Sequence, residues 1–259
     1  MPISKTERPL SDEQLMRYSR HIMLPSMDID GQERLWNARV LIIGLGGLGC
    51  AVSQYLAASG IGTITLVDDD TVDKTNLQRQ VLHGESKVGQ EKVESARASL
   101  SAINSEIEIK TINQRLTGEA LTEQVKSHDL VLDCCDNLAT RNEINRACFK
   151  HKVPLVSGAA IRMEGQVISF LMSTEAPDSP CYACVSSLFG EQSLTCSESG
   201  ILSPVVGIIG TIQATESLKI LAKIGEPLSG KLLMLDAATM SFNTFNVNKL
   251  KQCPVCGEP

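Results

Sequence analysis

An α/β fold in three layers, built on a continuous and mostly parallel sheet, follows from three features of this 259-residue chain. Between Arg39 and Pro154, short apolar runs alternate with longer stretches of helical periodicity, the pattern of a parallel sheet covered by helices on both faces. Val40 to Val67 carries no charge but is divided by glycines at 44, 46, 47, 49, 60 and 62 into strand, turn, helix and turn. After Pro154 the pattern changes to closely spaced strands with one long helix, which predicts an antiparallel extension of the same sheet.

Element by element, Ser11 and Gln14 form a capping-box pattern that opens a helix over 11–21, placing Arg17 and Arg20 on one face. Arg39 to Ile43 reads as a strand, Cys50 to Ser59 as a helix and Thr63 to Asp68 as the next strand. Val88 to Asn104 has helical spacing, Glu106 to Lys110 alternates like a strand, Glu119 to His128 is helical and Leu130 to Cys134 is a buried strand. The later strands are Leu155 to Ser157, Gln166 to Met172, Lys231 to Asp236 and Ser241 to Val247, and the helix Pro204 to Lys223 is closed by Gly225. No Pro/Gly/Ser linker interrupts the chain, so one domain over 1–259 is expected, with a nucleotide-binding half at 39–160 and a second half at 161–259.

Composition narrows the function classes. Hydrophobic residues make up 42% and charged residues 21%, which is globular rather than disordered. A net charge of -6 and the lack of a Lys/Arg run with interleaved aromatics argue against nucleic acid as a partner. The uncharged run Val40 to Val67 satisfies a hydropathy window for a membrane span, yet its glycines and charged flanks suit a buried strand-helix-strand unit, so no membrane is expected. The polar N-terminal stretch has no apolar leader, which predicts a cytoplasmic protein whose nine cysteines are reduced.

Gly44, Gly46 and Gly49 satisfy G-x-G-x-x-G between a strand and a helix, and Asp68 ends the following strand. This is a Rossmann-like dinucleotide or nucleotide turn: N–H groups at a helix N-terminus attract phosphate, and the carboxylate at the second strand's tip accepts from ribose hydroxyls. The stretch DDDTVDKTNLQRQVLH (68–83) then sets polar and cationic side chains beside that strand, and Lys92 follows. Several cations converging on one phosphate chain suit nucleotidyl transfer better than hydride transfer.

Two C-x-x-C pairs, Cys181/Cys184 and Cys253/Cys256, form a ligand set for tetrahedral zinc, with disulfides or redox pairs as the alternatives. Four thiolates leave no open position, so such a metal is structural. Cys134, Cys135 and Cys148 read as core thiols, and the four histidines have no metal spacing.

Gly44 to Gly49, Asn76-Leu77-Gln78-Arg79-Gln80, Lys92 and Asp136-Asn137 resemble the ATP site of the ubiquitin-activating-like superfamily. The stretches RYSRHIMLP, VESAR, VPLVSGAAIRMEGQ, SLFGE and LTC resemble more narrowly its HesA/MoeB/ThiF family, the molybdopterin-synthase branch first and the thiamine branch second. The resemblance implies that Gly47 and Asp68 contact ATP, that Asn76, Arg79 and Lys92 address its phosphates, and that Thr75, Leu77, Gln78 and Asn137 complete the nucleotide site. It implies Mg²⁺ on Asp136, for which an N-cap role is the alternative reading of the residue. Arg20 matches an arginine that reaches into the neighbouring subunit's site, implying a homodimer; on its own residues it reads as a solvated face. Arg141 is open between a place near the phosphates and a surface helix position. Cys196 matches a reactive-cysteine position, although no cation or histidine in its loop offers activation.

The activity implied is ATP-dependent adenylation of the C-terminal glycine carboxylate of a small ubiquitin-like sulfur carrier for molybdenum cofactor biosynthesis, releasing pyrophosphate. A sulfur-donating protein would act next. Ile168, Phe170, Phe242 and Phe245 would dock the carrier's body or else pack in the core. The alternatives are the thiamine sulfur carrier as substrate, a non-catalytic nucleotide-binding zinc scaffold, or an NAD oxidoreductase, the last disfavoured by Asn76 to Gln80 and Lys92.

Overall fold

The computed structural model describes residues 8–172, 179–188 and 199–257. The chain starts with α1 (Asp12–Arg17), α2 (Ser19–Ile22) and α3 (Asp28–Trp36), followed by β1 (Arg39–Ile43), α4 (Gly47–Ala58) and β2 (Thr63–Val67). Next come α5 (Lys92–Ile103), β3 (Glu108–Ile112), α6 (Gly118–Lys126), β4 (Leu130–Asp133) and α7 (Leu138–His151). The second half holds β5 (Leu155–Ile161), β6 (Glu164–Phe170), α8 (Tyr182–Ser186), α9 (Ser203–Ala222), β7 (Lys231–Asp236) and β8 (Ser241–Asn246).

Eight strands form one mixed sheet in the order β3-β2-β1-β4-β5-β6-β7-β8. Pairing is parallel from β3 to β5 and antiparallel from β5 to β8, as the change of pattern after Pro154 predicts. Alternation along β1 shows how the uncharged run is used. Val40 and Ile42 join the core on one face of the sheet, Leu41 and Ile43 the core on the other. Sequence order reverses between β1 and β4, which opens a crevice at the carboxyl ends of the parallel strands.

α9 is long and apolar enough to cross a membrane by length and composition, and half of that window is buried within the protein. It lies against α4 and the inner strands, where glycine permits close approach. A Cβ on Gly210 would stand 2.7 Å from the Leu48 carbonyl, and one on Gly47 would stand 2.6 Å from Val206 Cγ2. The helix ends one residue earlier than expected, with Lys223 in the left-handed region (φ 59°) and Gly225 two positions beyond (φ 59°).

Several expectations are corrected. The single helix over 11–21 is broken at Tyr18, though its capping box is present with both Ser11 and Gln14 hydrogen bonds. Tyr18 is buried, accepts a 2.9 Å hydrogen bond from Asn104 Nδ2 and lies where a Cβ on Gly60 would clash, so long-range packing overrides helical continuity. Arg17 and Arg20 therefore part company: Arg17 bonds the Ile103 carbonyl at 2.7 Å, while Arg20 is exposed beside Met23. The third helix, α3, has no counterpart in the sequence reading. α5 starts at Lys92 rather than Val88, because a 3-10 turn at Glu85–Lys87 and Gly89 at φ 85° interrupt the chain before it. Ile168 and Phe170 are core residues (3% and 0% exposed), whereas Phe242 and Phe245 on the edge strand β8 are about half exposed (49% and 52%).

Candidate functional site

A cleft of about 920 Å³ opens at the reversal point. Gly44, Gly46 and Gly47 form its floor after β1, Asp68 stands at the tip of β2, and Asp136 with Asn137 follows β4. Asn76, Arg79 and Lys92 enter from the segment between β2 and α5. The cleft continues past Ala159, Ala160 and Gln166 to Tyr182 and Met234, so it runs from the glycine turn toward the antiparallel half.

The glycine turn is built by steric need and one carboxylate. Gly44 has φ 95°, and a Cβ there would stand 2.8 Å from the Cys134 carbonyl, so neither side chain nor ordinary backbone fits. A Cβ on Gly49 would stand 1.9 Å from the Gly44 carbonyl. Gly49 therefore seats helix on turn and does not line the cleft. Asp68 Oδ2 accepts from the Leu45 N–H at 2.6 Å and its Oδ1 from the Asp70 N–H at 2.9 Å, fixing the turn to the tip of β2. Burial raises its pKa from the ordinary carboxylate value, against the pull of Lys92 and the backbone donors. The Leu45 carbonyl faces His83 Nε2 at 3.3 Å, and His83 Nδ1 meets Ser95 Oγ at 2.9 Å.

Lys92 is buried at the first turn of α5, with Nζ 2.7 Å from Asp70 and 4.0 Å from Asp68. Arg79 is half-buried and donates to Asn76 Oδ1 at 2.8 Å. Two cations thus reach one wall of the cleft, each oriented by an acceptor. Thr75, Leu77 and Gln78 lie outside the lining. Thr75 bonds Asp73, and Gln78 accepts from Ser203 Oγ at 2.5 Å, which ties this segment to the start of α9.

The opposite wall rests on a buried ion pair. Asp133 (1% exposed) accepts from Ser157 Oγ at 2.7 Å and the Cys135 N–H at 3.0 Å, and stands 3.5 Å from Arg141 Nη1. Arg141 (7% exposed) also donates to the Gly158 carbonyl at 2.9 Å and to the Cys135 carbonyl. Burial opposes its charge, but Asp133 beside it holds its pKa above the ordinary arginine value. Of the two positions open in the sequence, the surface one is excluded: Arg141 is buried, lines the cleft and clamps the β4–α7 turn to β5. The signal in the sequence was Asp133, a carboxylate ending an apolar strand, which requires a buried partner. The N-cap of α7 is Asn137, whose Oδ1 accepts from the Thr140 N–H at 3.0 Å. Asp136 is exposed on the cleft wall without that duty. Arg115, unforeseen in the sequence reading, bonds Thr140 Oγ1 at 2.8 Å and Asn137 at 3.2 Å at the rim.

Cys181, Cys184, Cys253 and Cys256 come together although sixty-eight residues separate the pairs. Their four sulfurs lie within 4.8 Å of one another and all four residues are buried. Asn145 Nδ2 donates toward Cys181 Sγ at 3.5 Å and the Leu250 N–H toward Cys184 Sγ at 3.4 Å, the outer hydrogen bonds that steady thiolate ligands. The donor set and its convergence fit a tetrahedral zinc ion. Among the other thiols, Cys134 and Cys148 are core, their pKa pushed up by burial, and Cys135 is half-buried and lines the cleft together with Cys134. Cys196 lies outside the described residues. No histidine joins a metal cluster among the described residues.

The ThiF family matches residues 18–255. Molybdopterin-synthase adenylyltransferase of Escherichia coli K12 is 53% identical over 249 residues, 96% of this chain and 99% of its own length. The sulfur carrier protein ThiS adenylyltransferase of the same organism is 40% identical over 96% of this chain and 97% of its own. Among solved structures, E. coli MccB with ATP superposes with a TM-score of 0.81 at 27% identity, over 93% of this chain and 74% of that one. The chain belongs to the ThiF family and stands among its adenylyltransferases.

Proposed function

We propose that this protein uses ATP to adenylate the C-terminal glycine carboxylate of a small ubiquitin-like sulfur carrier of the molybdopterin-synthase type, as a cytoplasmic homodimer. The observation that carries the reading is the convergence of Arg79, Lys92 and Asp136 on the cleft that begins at the glycine turn. Identity of 53% to the E. coli molybdopterin-synthase enzyme against 40% to its ThiS counterpart supports the first carrier.

One carboxylate oxygen of the carrier attacks the α-phosphorus of ATP, the bond to the bridging oxygen breaks, and pyrophosphate leaves with that electron pair. The product is a mixed anhydride, an acyl-adenylate. No base is required, because a C-terminal carboxylate is ionised at neutral pH. The protein's share is positioning and charge. The N–H groups of the α4 N-terminus and Asp68 seat the nucleotide, and Arg79 and Lys92 oppose charge that builds on the phosphates. Arg20 of a second copy would add to that charge. Asp136 fits Mg²⁺, a hard cation that takes carboxylate and phosphate oxygens and, when bound, supplies further positive charge. The cysteine cluster would hold zinc in a structural role, pinning the tail to α8. Cys196 is given no step, since the acyl-adenylate is itself the activated product.

The extension of the cleft past Ala159 and Ala160 suits a flexible carrier tail without side chains, and exposed Phe242 and Phe245 would meet the carrier's body. Purified molybdopterin-synthase small subunit and thiamine sulfur carrier, offered separately in ATP:pyrophosphate exchange, identify the substrate. Exchange with the first alone is expected; exchange with the second alone moves the protein to the thiamine branch.

A further inference from the structure

α7 carries Arg141 and Asn145 one turn apart on one face, and both meet the start of α8. Asn145 is fully buried and uses both ends of its amide there. Its Nδ2 donates toward Cys181 Sγ at 3.5 Å, and its Oδ1 accepts from the Tyr182 N–H at 2.9 Å. The second bond stands in for a cap, since Cys181 occupies the N-cap of α8 and its own side chain accepts no capping hydrogen bond. One turn earlier on α7, the Arg141 guanidinium carbon lies 5.9 Å from the centre of the Tyr182 ring. Phe170 meets the same ring edge to face, with centroids 6.5 Å apart. Tyr182 is itself buried and lines the cleft.

Contacts therefore run without a gap from the cysteine cluster to the cleft wall: Cys181 Sγ to Asn145, Asn145 to Tyr182, Tyr182 to Arg141, and Arg141 to Asp133 and the carbonyls of Cys135 and Gly158. The β4–α7 turn clamped at the far end bears Asp136 and Asn137 on the cleft lining. The chemistry of Asn145 suits a metal-bound cluster. An amide N–H stabilises a thiolate sulfur, and a thiolate fixed by a metal tells the amide which way to point. That orientation leaves Oδ1 for the Tyr182 N–H, whereas packing alone would be served by a leucine of similar size. We infer that Asn145 and Tyr182 are positioning residues that make the cleft wall depend on the metal-bound state of the cysteine cluster. Asn145 holds the Cys181 sulfur and the Tyr182 amide together, and Tyr182 seats the guanidinium that clamps the β4–α7 turn. The inference rests on the zinc reading of the cluster and is independent of which carrier the protein uses.

Zinc competition and hydrogen exchange test the two ends of this chain of contacts separately. Asn145→Asp keeps an acceptor for Tyr182 but sets a carboxylate against the Cys181 thiolate, and its zinc affinity, measured against a chromogenic chelator, falls about tenfold to a hundredfold. Removing zinc from the wild-type protein is expected to raise amide exchange across 133–141 and 181–186 while β1 and β2 keep their protection. Tyr182→Leu takes the ring from Arg141 and touches no sulfur. Its zinc affinity stays at the wild-type value, and its exchange across 133–141 is already raised with zinc bound. Tyr182→Phe keeps the ring over the guanidinium and restores the wild-type response. The two tyrosine variants decide the question if Asn145→Asp does not fold. Unchanged zinc affinity in a folded Asn145→Asp overturns the inference. Exchange across 133–141 that ignores zinc removal also overturns it, and so does exchange that rises equally in β1 and β2, the mark of a general staple. Wild-type protein that binds no zinc removes the zinc reading and the inference with it. A failure of adenylation changes none of these readouts, so the two readings fail separately.

Discussion

Replacing Arg141 with methionine tests whether the Asp133–Arg141 pair holds the cleft wall. The two charges are 3.5 Å apart, with side-chain exposures of 1% for Asp133 and 8% for Arg141. At an effective dielectric of about 20 their attraction is about 5 kcal/mol before the cost of burying them is counted. Removing the cation leaves Asp133 to the Ser157 hydroxyl and the Cys135 N–H, and leaves the carbonyls of Cys135 and Gly158 without this donor. Stranding one member of a buried pair costs about 3–5 kcal/mol, which for a chain of this size lowers Tm by roughly 6 to 20 °C. Urea unfolding of Arg141→Met, Asp133→Asn and the double variant forms the cycle. The double variant is expected to cost about 1–3 kcal/mol less than the sum of the singles. Additive costs, or an Arg141→Met variant within about 1 kcal/mol of wild type, would refute the reasoning.

Two further outcomes are expected. His83 and His128 both have pKa values lowered from 6.5, in each case first by burial. Because the unfolded rings take protons that the folded rings refuse, stability declines as pH falls through about 6.5 toward the lowered folded values; His128→Asn should flatten that slope in urea titrations, and an unchanged slope would contradict the assignment. Metal analysis of the purified protein should find one zinc per chain with all nine cysteines titratable as thiols after denaturation and chelation. Chelation should lower Tm, whereas fewer titratable thiols without a reductant would point to disulfides instead.

The parallel half was legible because its signals are local. Glycines at 44, 46, 47 and 49 announce a turn, and a Cβ on Gly44 or Gly49 would clash there with a carbonyl, while the apolar strands around them read plainly as buried. The cysteine cluster was legible for a different reason: paired C-x-x-C spacing survives however long the intervening chain. Tyr18 was not legible as a helix break, since what breaks the helix is Asn104 and Gly60, distant in sequence. Arg141 stayed ambiguous because helical spacing cannot say that β4 ends on a carboxylate aimed at it. Thr75, Leu77, Gln78 and Gly49 belong to the same motifs as the lining residues, but a motif records adjacency along the chain, and only the turn at Lys74–Asn76 decides which side chains face inward.

Pyrophosphate exchange with a carrier whose C-terminal glycine is either a free carboxylate or an amide tests adenylation most directly. The account predicts exchange with the free acid, none with the amide and none without carrier, and loss of exchange in Asp136→Ala. Exchange that proceeds with the amide, or none with any free-acid carrier, would contradict it.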